Sequence, residues 1–127
     1  MDQYTVQVTD DQDLVRVFAS GELSRSHGEQ IITEARTLAA EHSCNILYDV
    51  RKSSPGFSIA ELFFVPRELE ALKDTKMRKA KAAILTSPSG GVAKYKFYET
   101  VAANLGLSVR VFFDEDDAFD WLARTPV

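Results

Sequence analysis

Apolar and polar residues alternate from the start of the chain: Tyr4, Val6 and Val8 are interleaved with Thr5, Gln7 and Thr9, the period of a half-buried strand. The polar cluster Asp10–Asp13 then leads into a second strand, Leu14 to Ala19, and the pair predicts an antiparallel hairpin. After Gly21 the period changes. Ile31, Ala35, Leu38 and Ala39 fall on one helical face, with Ser26 and Glu29 spaced as a capping box at the helix start. Two nearly continuous apolar runs, Asn45 to Val50 and Lys81 to Thr86, predict central strands covered on both faces. Between them Ile59, Leu62, Phe63, Pro66, Leu69 and Leu72 form a helical stripe, which Pro66 is expected to kink or divide. A third helix, Val92 to Leu105, is expected to bury Tyr98, Val101, Ala102 and Leu105 and to stop at Gly106. The chain closes with an alternating strand, Leu107 to Phe113, and a helix, Asp114 to Leu122, folded back on the sheet. Strands joined through helices run parallel with right-handed crossovers, so the pattern predicts an α/β fold with a mixed sheet and the hairpin strand at one edge. Hydrophobic period leaves the strand order open.

Composition narrows the function classes. At 127 residues the chain is expected to form one domain, 1–127, with a substantial core. A net charge of −4 gives no broad basic surface, which argues against nucleic acid as a partner. The single cysteine, Cys44, has no partner for an intramolecular disulfide and lies beside a predicted buried strand; it reads as a core residue in a reducing compartment, and the expected location is cytoplasmic. The first residues have neither a basic start nor an apolar core like that of a signal peptide, and no stretch is long enough to span a bilayer.

Four segments carry a resemblance to a known group: Gly21 to Ser24 (GELS), Ile46 to Arg51 (ILYDVR), Phe97 to Gly106 (FYETVAANLG) and Val111 to Leu122 (VFFDEDDAFDWL). In this order they resemble the STAS-like group, the fold of the anti-sigma-factor antagonists and of the cytoplasmic domains of sulfate transporters, and in particular its bacterial SpoIIAA-like branch. The resemblance implies a mixed five-stranded sheet with a parallel core and an N-terminal hairpin, packed by about four helices, in a regulatory or protein-interaction domain. In the anti-sigma antagonists the strand equivalent to Asn45 to Val50 ends in an Asp-Leu-Ser type motif. An Asp-Ser-Ser-Gly motif follows, whose serine is phosphorylated at the next helix start. Asp49 fits the first motif, and Ser58 stands at about the distance of that serine, which makes it a candidate phosphosite. Phe57 replaces the motif's aspartate, and Ile59 and Ala60 replace its Ser-Gly. The plainer reading of Ser58 is a helix N-cap that closes a capping box with Glu61.

Ligands of open α/β sheets bind beyond the carboxyl ends of the parallel strands, where this chain has the loops Arg51 to Ser58 and Ser87 to Gly91. Arg51, Lys52, Ser87, Ser89, Gly90, Gly91 and Lys94 therefore form a candidate pocket for a small anionic or lipid-like molecule; the competing reading of the glycines is a tight turn. Phe57 and Phe64 form a candidate interaction surface. Phe64 points about 160° from the centre of its helix's apolar stripe, unless the kink at Pro66 turns it inward.

Other features are assigned structural roles. His27 and His42, about 22 Å apart on one helix at 1.5 Å per residue, do not share a metal. The acidic run Asp114 to Asp117 reads as a helix start, and the basic stretch Lys73 to Lys81 as a solvated helix end. Catalysis would need Ser54, Ser87 or Ser89 as nucleophile with Asp49 or a lysine as activator, and no G-x-S-x-G elbow is present. No catalytic residue, cofactor or metal is assigned. The function expected first is a non-catalytic regulatory domain that binds a protein partner or self-associates as a homodimer. The alternatives are a small-ligand module and, weakest, a serine-dependent hydrolase.

Overall fold

The strand order is sequential, β1-β2-β3-β4-β5, and this simple order decides where everything else lies. The computed structural model describes residues 3–9, 13–89 and 91–124. The strands are β1 (Gln3–Thr9), β2 (Leu14–Leu23), β3 (Asn45–Pro55), β4 (Ala82–Leu85) and β5 (Val109–Phe112). The helices are α1 (Arg25–His42), α2 (Ile59–Glu68), α3 (Thr75–Arg78), α4 (Val92–Asn104) and α5 (Glu115–Ala123), with a 3₁₀ turn at Glu70–Leu72. β1 and β2 form the antiparallel hairpin, and β2 to β5 are parallel. Because each crossover advances one strand in the same direction, right-handedness puts the crossover helices on one face of the sheet. Val15, Val17, Ile46, Tyr48, Ile84 and Val111 pack there against Ile31, Ala35, Tyr95 and Ala102. α5 follows the last strand and folds back on the other face, where Ala118 and Leu122 meet Leu14, Leu47, Ala83 and Leu85.

Several local expectations are corrected. α1 is capped by Ser24, whose Oγ accepts from the His27 N–H at 3.2 Å, so Ser26 lies inside the helix and Glu29 pairs with Arg25. The reason is the length of β2: its ladder with β3 runs to the pair Leu23–Pro55, and Ser24 is the first residue free of it. Both strands outrun their apolar segments. Between the pairs Phe18–Asp49 and Ser20–Lys52, β3 takes three steps to two in β2, a bulge that carries the polar end RKSSP into the sheet.

The stripe of α2 is also rotated. Leu62, Val65 and Pro66 are buried, whereas Ile59 and Phe63 are exposed. Pro66 does not break the helix in place; the chain turns extended at Leu69, three residues on, and restarts as the 3₁₀ turn that buries Ala71 and Leu72. In α4 Tyr95 is buried with Val101 and Ala102, while Tyr98 and Leu105 are only partly so. The basic stretch forms α3, and two of its cations are tied down. Arg78 donates to the carbonyls of Leu72 and Leu105, and Lys81 to those of Trp121 and Arg124. Among the described residues no helix is long and apolar enough to cross a membrane.

Candidate functional site

α2 starts where the β3 ladder ends. The Ser58 Oγ accepts from the Glu61 N–H at 3.1 Å and Glu61 Oε1 accepts from the Ser58 N–H at 2.8 Å, the complete capping box. Ser58 is exposed, and its hydroxyl is engaged in this cap. From that fixed start the helix turns Leu62 and Val65 inward and leaves three large apolar side chains outside: Ile59 (50 % exposed), Phe63 (38 %) and Phe64 (47 %). The rings of Phe63 and Phe64 meet edge to face at 5.2 Å, and the Arg67 guanidinium lies 3.7 Å from the Phe63 ring centre while donating to the Phe63 carbonyl. Pro66 does not turn Phe64 inward; Phe64 lies outside, as its helical angle indicates.

Beneath α2 is an apolar cavity of about 90 Å³, walled by Tyr48, Phe57, Leu62, Val65, Tyr95 and Tyr98 among others. Phe57 is half-buried here, its ring against Gly28 of α1, so Phe57 and Phe64 lie on different surfaces. Among the described residues the hydroxyls of Tyr95, Ser53 and Thr86 are buried without a hydrogen-bond partner, while the buried Tyr48 hydroxyl lies beside the Arg36 guanidinium. Burial pushes the Tyr95 phenol up to about 12 and raises those of Tyr48 and Tyr98 above their ordinary value, so all three rings stay neutral at physiological pH.

The residues expected to hold an anion are divided. The Lys94 ammonium donates to the Phe57 carbonyl at 2.7 Å and to that of Pro55 at 3.4 Å, anchoring the loop before α2. Gly91, the N-cap residue of α4, has φ +80, and a Cβ there would come within 2.6 Å of the Pro55 ring. Gly91 therefore serves that same close approach. Ser87 is half-buried, Ser54, Ser89 and Lys52 are exposed, and Gly90 lies outside the described residues. Arg51 is on the α5 side of the sheet, where its guanidinium donates to both oxygens of buried Asp49, at 3.0 and 2.7 Å. Arg16 joins them, 3.8 Å from Asp49 and 2.6 Å from Glu115 at the start of α5. Burial works to raise the Asp49 pKa, but the hydrogen bonds and charge of Arg51, with the charge of Arg16, hold it below the ordinary carboxylate value. Among the described residues no cluster of His, Cys, Asp or Glu gathers as a metal site.

The sequence pattern missed the cavity and the exposure of Ile59 and Phe63. One signal was present: a tyrosine, Tyr48, at the centre of an otherwise apolar buried strand. No family model and no curated protein matches the chain. Among solved structures, a protein of the DUF3478 family with a SpoIIAA-like fold, from Shewanella loihica PV-4, is 18 % identical. It superposes with a TM-score of 0.58 over 96 % of this chain and 94 % of that one. The unphosphorylated anti-sigma factor antagonist SpoIIAA is 14 % identical, with a TM-score of 0.51 over 97 % of this chain and 100 % of that one. The sequential mixed sheet, with its crossover helices on one face and α5 on the other, is thus a STAS-like fold of the SpoIIAA-like kind.

Proposed function

We propose that this chain is a non-catalytic regulatory domain that engages a protein partner through the outer face of α2. One observation carries the reading: α2 is apolar on both sides. A helix at a protein surface normally confines its apolar residues to one stripe, and one that is apolar all round is normally covered all round. Here Leu62, Val65 and Pro66 satisfy the inner side, and Ile59, Phe63 and Phe64 remain uncovered. The partner that fits is a protein with an apolar groove for the two phenylalanines and an acidic rim for Arg67, whose charge sits against Phe63. The likeness to a protein named as an anti-sigma factor antagonist supplies a precedent for this fold in a regulatory role.

Site-directed photocrosslinking in cells tests this reading, with a benzophenone side chain at Phe64 and, as control, at exposed Lys73. The expected result is a discrete adduct from position 64 that is absent from position 73 and lost when Ile59→Asp is added. Phe64→Asp itself is expected to cost about 1 kcal/mol of stability, from the half-buried ring and its edge contact with Phe63, and to leave the fold intact. No adduct, or the same adducts from both positions, would discard the reading.

The cavity favours a second reading, a module for a small apolar or lipid-like molecule held between α2 and the sheet. At about 90 Å³ the space is smaller than the roughly 150 Å³ that takes benzene in an engineered apolar cavity, so entry of a ligand requires α2 to move outward.

A further inference from the structure

The two edges of the sheet are protected very differently. β5 is four residues long, its Arg110 is exposed, and the Val111 N–H donates to Glu99 Oε2 of α4 at 2.7 Å. A carboxylate and a short strand close that edge. β1 has seven residues, Gln-Tyr-Thr-Val-Gln-Val-Thr, with no charge, no proline and no glycine, in unbroken register with β2 from Gln3–Ser20 to Thr9–Leu14. Among the described residues nothing outside β2 bonds to its backbone. Edge strands of monomers are normally blunted by charge, proline, a bulge or a cover, because their outward N–H and C=O groups template another strand. β1 has none of the first three, and α1 lies over its face, where the Tyr4 hydroxyl donates to Glu34 at 3.0 Å.

We infer that two copies of this chain pair antiparallel through β1, making one continuous ten-stranded sheet. The pattern of β1 about Val6 is self-complementary. A two-fold axis at Val6 sets Tyr4 against the partner's Val8 and Thr5 against the partner's Gln7. Because side chains alternate with period two, an axis centred on a residue keeps Tyr4, Val6 and Val8 on the helix-covered face and Thr5 and Gln7 on the other. β1 itself carries no charge, so no like charges meet between the paired strands, and the contact is isologous, so it closes at two copies. α2 packs against α4, away from β1, so each dimer presents two copies of the α2 surface, and the pairing stands independently of what that surface binds.

The test uses Thr5 and Gln7, which are exposed on the face that α1 does not cover. Sedimentation velocity over a dilution series should give twice the chain mass for the wild type, falling to the chain mass only on dilution. The double variant Thr5→Lys with Gln7→Lys sets lysine against lysine across the axis and should be monomeric at every concentration, as should Thr5→Glu with Gln7→Glu. Mixing the two double variants should restore the dimer, a result that a folding defect cannot produce. As a second readout, half of the β1 amides should exchange more slowly with solvent in the concentrated wild type than in the dilute. A wild type that is monomeric throughout, variants that remain dimeric, or a mixture that stays monomeric would each overturn the inference.

Discussion

The two faces of the sheet are covered by different means. On one, crossover helices converge and the packing is apolar, yet it leaves a cavity and, among the described residues, buried hydroxyls without partners. On the other, the nine residues of α5 work alone, and the uncovered end is occupied by Arg16, Asp49, Arg51 and Glu115. Width explains the contrast. Five strands at about 4.8 Å spacing span about 19 Å, and a helix with its side chains is about 10 Å wide, so one helix covers about half a face. The half left open lies over β1 and β2, where Phe18 is 37 % exposed and Thr5 and Gln7 meet water. Sequential strand order therefore has a cost: it crowds the helices on one side and leaves charge to finish the other.

The sharpest way to break this comparison uses two neighbours in β3, both fully buried on opposite faces. Ile46→Ala removes a side chain from the helix-rich core, and Leu47→Ala removes one from beneath α5. Each is expected to cost about 2–5 kcal/mol in urea unfolding, because the loss combines transfer free energy with a void that rigid strands cannot close. A cost below about 1 kcal/mol for Leu47→Ala alone would show that α5 is a loose cover and that the sheet is stabilised from one side.

The ion-pair end of the α5 face is tested by Asp49→Asn. The carboxylate is buried, but Arg51 is partly in water and regains hydration when its partner is lost, so the expected cost at neutral pH is about 1–2 kcal/mol. The dependence on acid follows from the lowered pKa. Unfolded, Asp49 takes up its proton near its ordinary value of 3.8; folded, it does so at lower pH. Its contribution is therefore complete above the ordinary value and is lost as pH falls through the folded one. Urea midpoints of wild type and variant should differ at pH 7, and the gap should narrow as pH falls below the ordinary value of 3.8. A gap that persists in acid would assign the effect to shape rather than to charge.

The hairpin, the parallel strands, the Ser58–Glu61 box and the acidic helix start at Asp114 to Asp117 were legible because each rests on a local period, a short-range hydrogen bond or the charge preference of a helix start. The cap of α1 was misplaced because Gly21 reads as a break, while in the fold it sits inside a long β2 paired with Ser53. The candidate site was legible in part. The outward angle of Phe64 follows from helix geometry, but the period that made Phe63 a core residue failed once Leu69 turned extended and α2 settled on Leu62 and Val65. Lys94 and Arg51 were grouped by loop and charge. The partners of Lys94, the carbonyls of Pro55 and Phe57, are set by tertiary placement, which spacing does not encode. The partner of Arg51, Asp49, stands two residues back in the same strand, where period-two alternation could have paired them.

The smallest expected effect bears on the crowded face. Tyr95 puts its ring in the cavity wall, and its hydroxyl is buried with no partner among the described residues. Tyr95→Phe keeps the ring and deletes the unsatisfied group, so stability should be unchanged or rise by up to about 1 kcal/mol. A loss of about 1 kcal/mol would mean instead that something in the cavity accepts or donates a hydrogen bond at that hydroxyl, and would move the weight from the outer face of α2 to the space beneath it. Alkaline unfolding gives an independent check. Burial holds the folded phenol at about 12 against an ordinary value of 10.0, so wild-type stability is full below pH 10 and is lost as pH rises towards the folded value, because the unfolded chain ionises first. Tyr95→Phe should flatten that decline; an unaltered slope would show that the phenol is already paired or hydrated in the folded protein.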